Sequence, residues 1–447
     1  MPLVTHRRHG CMQTHDDASM HTVNTDRDVT GMSDSGPWQV IVVGGGPAGA
    51  SAAWHCAQAG LSVCLVDRAR FPRSKPCAEY LSPEGSRILD RMGALADLEQ
   101  GAATYLTGMV VHAPAGGRIH GEFAAQHAYR GFRDRGLGIR REYLDALLLN
   151  RVRAAGVTVM EGARVTQLCR DADGTVNGVE LTRDDEPQTL RTVHASLVVG
   201  ADGLNSVVAS RAGLAHRARW PRRVAYVAHY RNVARMGTLG EMHVTDNGYV
   251  GLAQVGNGDG ASITNVALVL PTRTARALRQ SPADTLTTWL GAHPQLAERF
   301  VNAERMTPVR AVGPFASHAR RSWAPGVMLT GDAADFLDPF TGEGIYAALA
   351  GGELLAPIAH AVVHAPDARR RRQALMSYEQ ARRTTFGGKW RLERLIMLAV
   401  AWPPLLNHAA RVLSRDRDLA DLLIGATGDF VPPSAVLSPR TLLRFLS

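Results

Sequence analysis

The stretch from residue 38 to residue 67, WQVIVVGGGPAGASAAWHCAQAGLSVCLVD, constrains this chain more than any other. Residues 39–43 are a short apolar, β-branched run, the pattern of a strand buried on both faces. Gly44-Gly45-Gly46-Pro47-Ala48-Gly49 follows, a G-x-G-x-x-G match. Residues 48–59 are Ala-rich and predict a helix that Gly60 ends. Residues 61–66 predict a second strand, closed by Asp67. Gly44 permits a tight turn out of the strand, Gly46 leaves room for a pyrophosphate, and Gly49 lets helix and strand pack closely. The free N–H groups and positive dipole end of the helix favour phosphate. Asp67 stands 23 residues after Gly44, at the strand tip, where an acid binds the hydroxyls of an adenosine ribose. A dinucleotide is therefore expected. The motif alone does not distinguish FAD from NAD(P).

The 447 residues exceed one small core, so two or three domains are expected. Hydrophobic residues make up 45% and charged residues 20%, which places the chain among ordinary globular proteins. The net charge of +9 is diffuse, with short arginine runs at 369–372 and 382–383. No basic stripe interleaves with aromatics, so nucleic acid is not an expected partner. Two readings of the excess remain: a solvated Arg-rich surface, or attraction to anionic carriers, nucleotides or membrane surfaces. Cys11, Cys56, Cys64, Cys77 and Cys169 are scattered, with no C-x-x-C pair and no metal spacing. A reduced, cytoplasmic setting and no metal are expected. No apolar leader and no run of about 18 apolar residues occurs, so neither a signal peptide nor a membrane span is expected.

Along the chain, residues 1–36 are polar and aperiodic and read as a disordered tail. Residues 68–80, RARFPRSKPCAEY, form a basic loop that either lines the reaction site or stays solvated. Ser82 and Pro83 predict the N-cap and first turn of a helix reaching about Met92. Residues 109–123 predict a β-hairpin around Gly116-Gly117. Residues 137–154 predict a helix with Leu144, Leu147, Leu148 and Val152 on its apolar side. Strands are expected at 157–160, 162–169, 174–181 and 197–200, the last turning at Asp202. Strands at 224–230, 242–245, 249–255 and 262–270 suggest an antiparallel sheet. Residues 272–299 are mostly helical. A strand at 327–330 runs into Gly331-Asp332, a helix through 355 opens at 338–344, and 373–383 continue helical. The apolar stretch 395–406 is broken by Pro403-Pro404. It is either a packed helix or a segment touching a membrane or an acyl chain.

Three glycine–acid signals stand in a fixed order: Gly44 to Gly49 with Asp67, Gly200-Ala201-Asp202-Gly203, and Gly331-Asp332. With Arg141 in RREYLD, this set resembles the FAD-dependent oxidoreductases of the para-hydroxybenzoate hydroxylase type, over about residues 38–383. The resemblance implies an α/β fold: a Rossmann-like FAD-binding domain of the glutathione-reductase type, an antiparallel substrate sheet and a helical C-terminal extension. The expected division is 37–105, 137–212 and 308–385 for FAD, 106–136 and 213–307 for substrate, and 386–447 for the extension. It also implies that Gly44, Gly46, Ala48 and Gly49 hold the pyrophosphate. Asp67 and Arg68 would lie at the adenosine ribose and Arg141 near the phosphates. Asp202 would support the cofactor-side loop. Gly331 and Asp332 would meet the ribityl or pyrophosphate region. Pro339, Gly342 and Gly344 would sit beside the isoalloxazine, where backbone donors favour the anionic reduced flavin.

Lys75-Pro76-Cys77 and DPFTGEGI at 338–345 resemble the geranylgeranyl-reductase-like branch of that superfamily. There Cys77 would lie near flavin and substrate; otherwise it is an inert buried cysteine. Cys77, Lys75 and Tyr249 are the candidate catalytic residues. Two departures stand out. Cys77-Ala78-Glu79 replaces the branch's CGG or CGE, and of its Y-x-W-x-F-P run only Tyr249 remains in residues 249–254. The W-x-W-x-I-P run of flavin halogenases is absent, so halogenation is not expected. The expected activity is hydride transfer through flavin N5, with NAD(P)H as donor. The substrate would be a hydrophobic polyketide, isoprenoid or quinone, free or carrier-bound, of the kind met in secondary metabolism. The alternatives are a monooxygenase acting through a C4a-hydroperoxide on an aromatic or polyketide ring, and a flavin-binding partner without turnover.

Overall fold

The strand Trp38–Val43 sits inside a parallel sheet. It pairs with Val63–Val66 on one side and with the end of Glu186–Gly200 on the other, so that Val42 faces Leu65 and Val199. The computed structural model describes residues 38–445 except 125–126, 219 and 257–261, and the expected tail at 1–36 lies outside these residues. The sheet order is Trp323–Ala324, Val327–Leu329, Glu186–Gly200, Trp38–Val43, Val63–Val66, Thr158–Met160. Alternate side chains feed two cores. Val40 and Val42 join helices Pro47–Gln58, Arg141–Ala154 and Gly344–Val363 on one face. Ile41 and Val43 join the strands Ala163–Arg170 and Val176–Arg183 on the other. Burial on both faces is why the strand reads as an unbroken apolar run. This is the expected Rossmann-like architecture.

The second sheet holds Arg223–Arg231, Ser262–Pro271, Gly248–Gly256 and Leu239–Thr245 in that antiparallel order, close to the expected spans. The hairpin Gly108–His112 and Arg118–Glu122 extends it, the first strand running parallel to Leu239–Thr245. Two expectations need correction. Residues 137–139 are not helical. They belong to strand Gly136–Ile139, which pairs with Tyr80–Leu81 and Ala103–Leu106, and the helix starts at Arg141. Ser82 is not the N-cap either. A turn intervenes, its hydroxyl accepts the Gly85 N–H at 3.3 Å, and the helix is Gly85–Arg91. The strands at 80–81, 103–106 and 136–139 thus join the large sheet.

Helix Ala368–Ala401 ends before Pro403, and Pro403–Arg415 leaves at 110° to it. Proline serves at a first helical turn but breaks an interior one, so the pair at 403–404 forces the corner. The inner faces of these helices and of Arg417–Thr427 supply Met397, Val400, Leu406, Ala410 and Leu419. They pack on Val111, Ile119, Met242 and Tyr249 of the large sheet. Gly344–Val363 has the length and composition of a membrane span, but it lies against Pro47–Gln58 in the core.

On the opposite face of the large sheet, His112 stacks on its cross-strand partner His243 at 4.3 Å. Glu241 binds His243 at 2.8 Å and Arg299 at 2.6 and 3.0 Å. Burial, then His243 and two arginines, push His112 down to about 4. An unfolded chain protonates this histidine near 6.5, so stability present above that pH is lost as the pH falls towards 4. The full gap would exceed about 3 kcal/mol, but partial exposure and screening reduce it to about 1 kcal/mol. His112→Gln should therefore lose about 1 kcal/mol less than the native protein between pH 6.5 and 4.5. Urea unfolding at both pH values measures this; equal losses in the two proteins would contradict it.

Candidate active site

The glycine loop is shaped by close approach. Gly44 has φ +107°, and a Cβ on it would lie 2.5 Å from the Ala201 carbonyl oxygen. A Cβ on Gly49 would fall 1.7 Å from the Gly44 carbonyl oxygen. Gly46 caps Pro47–Gln58 without a side-chain bond, which leaves first-turn N–H groups for a ligand. Two guanidinium groups converge on it: Arg141 Nη2 lies 3.5 Å and Arg73 Nη2 3.6 Å from the position a Gly46 Cβ would take. Asp145, fully buried, holds both. It accepts from Arg141 Nε at 2.8 Å and Nη2 at 2.7 Å, and Arg73 Nη1 lies 3.1 Å away. Burial alone would drag Arg141 down; Asp145, with Cys77, outweighs it and keeps Arg141 above its ordinary value. Burial pulls Arg73 down despite Asp145.

Asp67 accepts from Gly45 N at 2.6 Å and from Ala69 N at 2.7 Å, which sets its carboxylate at the loop. Arg68 is exposed. Gly331, at φ +58°, presses on the first helical turn, since its Cβ would meet the Ala48 Cβ at 2.6 Å. Two cations around one carboxylate, open amides and a glycine floor fit a diphosphate-bearing dinucleotide.

Asp338 organises the loop 339–344. It accepts from Phe340 N at 3.2 Å and from Arg223 Nη1 at 2.9 Å, and the Tyr249 hydroxyl donates to it. Tyr249 also meets Phe340 edge to face at 5.0 Å. Burial, then Asp338, push the Tyr249 hydroxyl well above its usual value. Tyr249 thus ties the loop to the large sheet while bordering the cavity. Gly342, at φ +74°, has no room for a Cβ, which would lie 2.7 Å from the Tyr80 ring.

Glu79 plays the same part for the loop carrying Cys77. It is buried at φ +58°. Its Oε1 accepts the Arg141 N–H at 2.8 Å, and its Oε2 meets Asn265 Nδ2 at 2.9 Å and His229 Nε2 at 2.6 Å. Asn265 Nδ2 also donates to the Cys77 carbonyl oxygen at 2.9 Å. His229 and Asn265 are cross-strand partners in the large sheet. Cys77 Sγ accepts from Glu79 N at 3.5 Å. Lys75 is pulled down by burial and by Arg141, with Asp332 opposing. Asp332 is raised by burial, against Lys75 and Arg141. Asp202 is occupied elsewhere. It accepts from Ser206 Oγ at 2.5 Å, Val207 N at 2.6 Å and Val208 N at 3.2 Å, a turn-building role that supports the loop, while Gly203 faces the cavity.

A cavity of about 170 Å³ joins these parts. It runs from Gly46 past Lys75, Cys77 and Arg141 to an apolar wall of Ala225, Val227, Val269 and Phe315. Gly344, Gly342 and Pro339 border it, as do Asp332 and Tyr249. Arg73, Glu79, His229, Asn265, Arg223 and Asp338 complete the site without having been candidates. The buried polar residues His229 and Asn265 inside largely apolar strands were the available signal.

Cradle, loop and cavity describe a flavoprotein, and the match to the family described as FAD binding domain, over residues 37–387, agrees; the chain belongs to that family. A digeranylgeranylglycerophospholipid reductase of Methanopyrus kandleri is 28% identical over 426 residues, covering 91% of this chain and 98% of the relative. A menaquinone reductase of Mycolicibacterium smegmatis is 28% identical over 422 residues, covering 89% and 88%. A flavin-dependent brominase superposes with TM-score 0.76 at 20% identity, over 92% of this chain and 98% of that one, a likeness of fold. The protein is an FAD-dependent oxidoreductase of the para-hydroxybenzoate hydroxylase superfamily. Its similarity to the two reductases runs along nearly the whole of each chain.

Purified protein should be yellow with non-covalent FAD, and Gly46→Val should abolish the colour. Arg73→Gln leaves Asp145 paired with Arg141, so the fold should survive. Loss of one charge-assisted contact of about 1.5–3 kcal/mol should weaken FAD binding by about 10- to 150-fold, read by flavin fluorescence on reconstitution. Unchanged affinity would remove Arg73 from the phosphate site. Tyr249→Phe leaves buried Asp338 one donor short and should destabilise the holoprotein by about 1–3 kcal/mol. It should also shift the flavin absorption bands while the flavin stays reducible; loss of reducibility with an unshifted spectrum would restore a chemical role.

Proposed function

We propose that the protein reduces a carbon–carbon double bond in a hydrophobic, isoprenoid-type substrate. The observation that carries this reading is the cavity itself: a dinucleotide cradle and an apolar wall meet at Cys77. The names of the two reductases similar over nearly their whole length support it. Reduced FAD bound in the cradle would supply a hydride from N5, with NAD(P)H as the class of donor that restores it.

The chain's own residues do the rest. Gly46, Arg73 and Arg141 would hold the diphosphate of FAD, and the loop 339–344 would border its ring. Ala225, Val227, Val269 and Phe315 align an apolar chain and exclude water. Addition across the double bond needs a hydride on one carbon and a proton on the other. Cys77 gives that proton from the junction of cradle and wall, Arg141 stabilises the thiolate left behind, and solvent reprotonates it. Gly251 stands where the branch's aromatic run carries Trp, with Met242 and Ala267 bordering the cavity beside it. That exchange widens the apolar end and sets the substrate apart from those of the prenyl reductases that keep the run.

Cys77→Ala should retain FAD yet slow anaerobic reoxidation of the reduced protein by a prenyl substrate by about 10²- to 10⁴-fold, with Cys77→Ser restoring part of the rate. Stopped-flow absorbance follows the reoxidation. An unaltered rate in Cys77→Ala would remove the proton role. Substrate-dependent oxygen uptake yielding a hydroxylated product would overturn the reductase reading in favour of oxygenation.

A further inference from the structure

We propose that the corner between helices Ala368–Ala401 and Pro403–Arg415 is a docking surface for a bilayer with anionic headgroups. Leu395 and Leu398 lie three residues apart on the first helix, and Trp402 follows at its C-cap, at the corner itself. They are 48%, 50% and 61% exposed, and Leu405 just past the corner is 37% exposed. The fold does not need these side chains. The inner face of the same helix is filled by Leu392, Met397 and Val400, which are buried. Leu442 and Leu443, 43% and 66% exposed, lie on Pro439–Arg444. That helix is tied to Pro403–Arg415 by a hydrogen bond of 2.7 Å between His408 Nε2 and the Phe445 carbonyl oxygen. Scattered exposed leucines are ordinary, but a tryptophan and several leucines gathered at one corner mark an interaction surface.

The charge around the corner selects the partner. Arg391, Arg394, Arg411, Arg415 and Arg440 are exposed, and among the described residues none of the five forms a salt bridge. The nearby acids are largely engaged: Glu393 lines the cleft beside Glu343, and Asp416 binds Arg444. Asp418 is the exposed acid of this region. An indole and aliphatic side chains with guanidinium groups at their edges suit the boundary between acyl chains and phosphate headgroups. A second copy of this chain, with a net charge of +9, would bring the same arginines face to face.

The inner face of the corner gives the docking a purpose, which rests on the proposed apolar substrate. Met397, Val400 and Leu406 share a core with Tyr249 and Phe340. The helices that would rest on the bilayer therefore also roof the sheet that lines the cavity.

The holoprotein, without substrate, should float with phosphatidylcholine vesicles containing phosphatidylglycerol. It should float much less with phosphatidylcholine alone, and high salt should release it. Leu398→Ser/Trp402→Ser should weaken vesicle binding by about tenfold or more while FAD content and thermal midpoint stay native. With a prenyl substrate the double variant should lose turnover only when the substrate is embedded in vesicles, not when a short-chain analogue is offered in solution. Absence of flotation by the native protein, or undiminished flotation by the variant, would overturn the proposal. So would concentration-dependent self-association that the variant loses, seen by sedimentation, because it would give the surface to a second copy. The flotation arms use no substrate, so their failure is separable from failure of the reductase reading.

Discussion

The buried carboxylate of Asp145 is the contact on which the site depends. Arg141 and Arg73 approach one point above Gly46, and without an anion between them two guanidinium groups would repel there. One carboxylate shared by two cations leaves a net positive charge directed at the open end of the glycine loop. Because Asp145 is four residues from Arg141 on one helix, the pair is set by helix geometry and is formed before any ligand arrives. Arg73 is then drawn in from the loop after the second strand, and that loop also carries Lys75 and Cys77. The phosphate cradle and the loop that carries Cys77 are fastened by the same charge.

Glu79 and Asp338 repeat this logic at the seam with the large sheet. Each is a buried acid in a turn that takes donors from an otherwise apolar strand: His229 and Asn265 for Glu79, Arg223 and Tyr249 for Asp338. A buried acid left without these donors would cost several kcal/mol, so each turn has one satisfied arrangement and little freedom. That is how the loop 339–344, with its glycines and proline, is held in one arrangement.

The parallel strands, the hairpin and the four long antiparallel strands were legible because their periodicities are local. The strand at 136–139 was not. Its apolar residues run straight into the helical pattern of Leu144 and Leu148, and what makes it a strand is pairing with residues 80–81 and 103–106, which no short window contains. The close approach at Gly49 was legible because its partner, the Gly44 carbonyl, lies in the same turn, whereas Gly44 is also confined by Ala201 from a distant strand. Tyr249 was visible as a residue of interest but not in its role, since its partner Asp338 is 89 residues away. Asp202 looked like Asp332 in sequence, yet it spends its oxygens on the following helix, while Asp332 stays among Lys75 and Arg141.

The C-terminal helices are more than an appended layer, because they reach the loop 339–344. Lys389 of Ala368–Ala401 lies 3.3 Å from Glu343, pairs with Asp429 and sits 4.6 Å from the Tyr346 ring. Glu343 in turn accepts from Thr341 Oγ1 at 2.9 Å, inside the loop itself. Glu393, one turn further along the helix, has its carboxyl pushed well above the usual range by burial and by Glu343. Lys389 thus stands between the helix and the loop as the cation beside Glu343. The same helix turns at Pro403 and presents Trp402 outward. Lys389 therefore joins the extension to Glu343, at the start of the core helix Gly344–Val363, through an ionic contact that is largely buried.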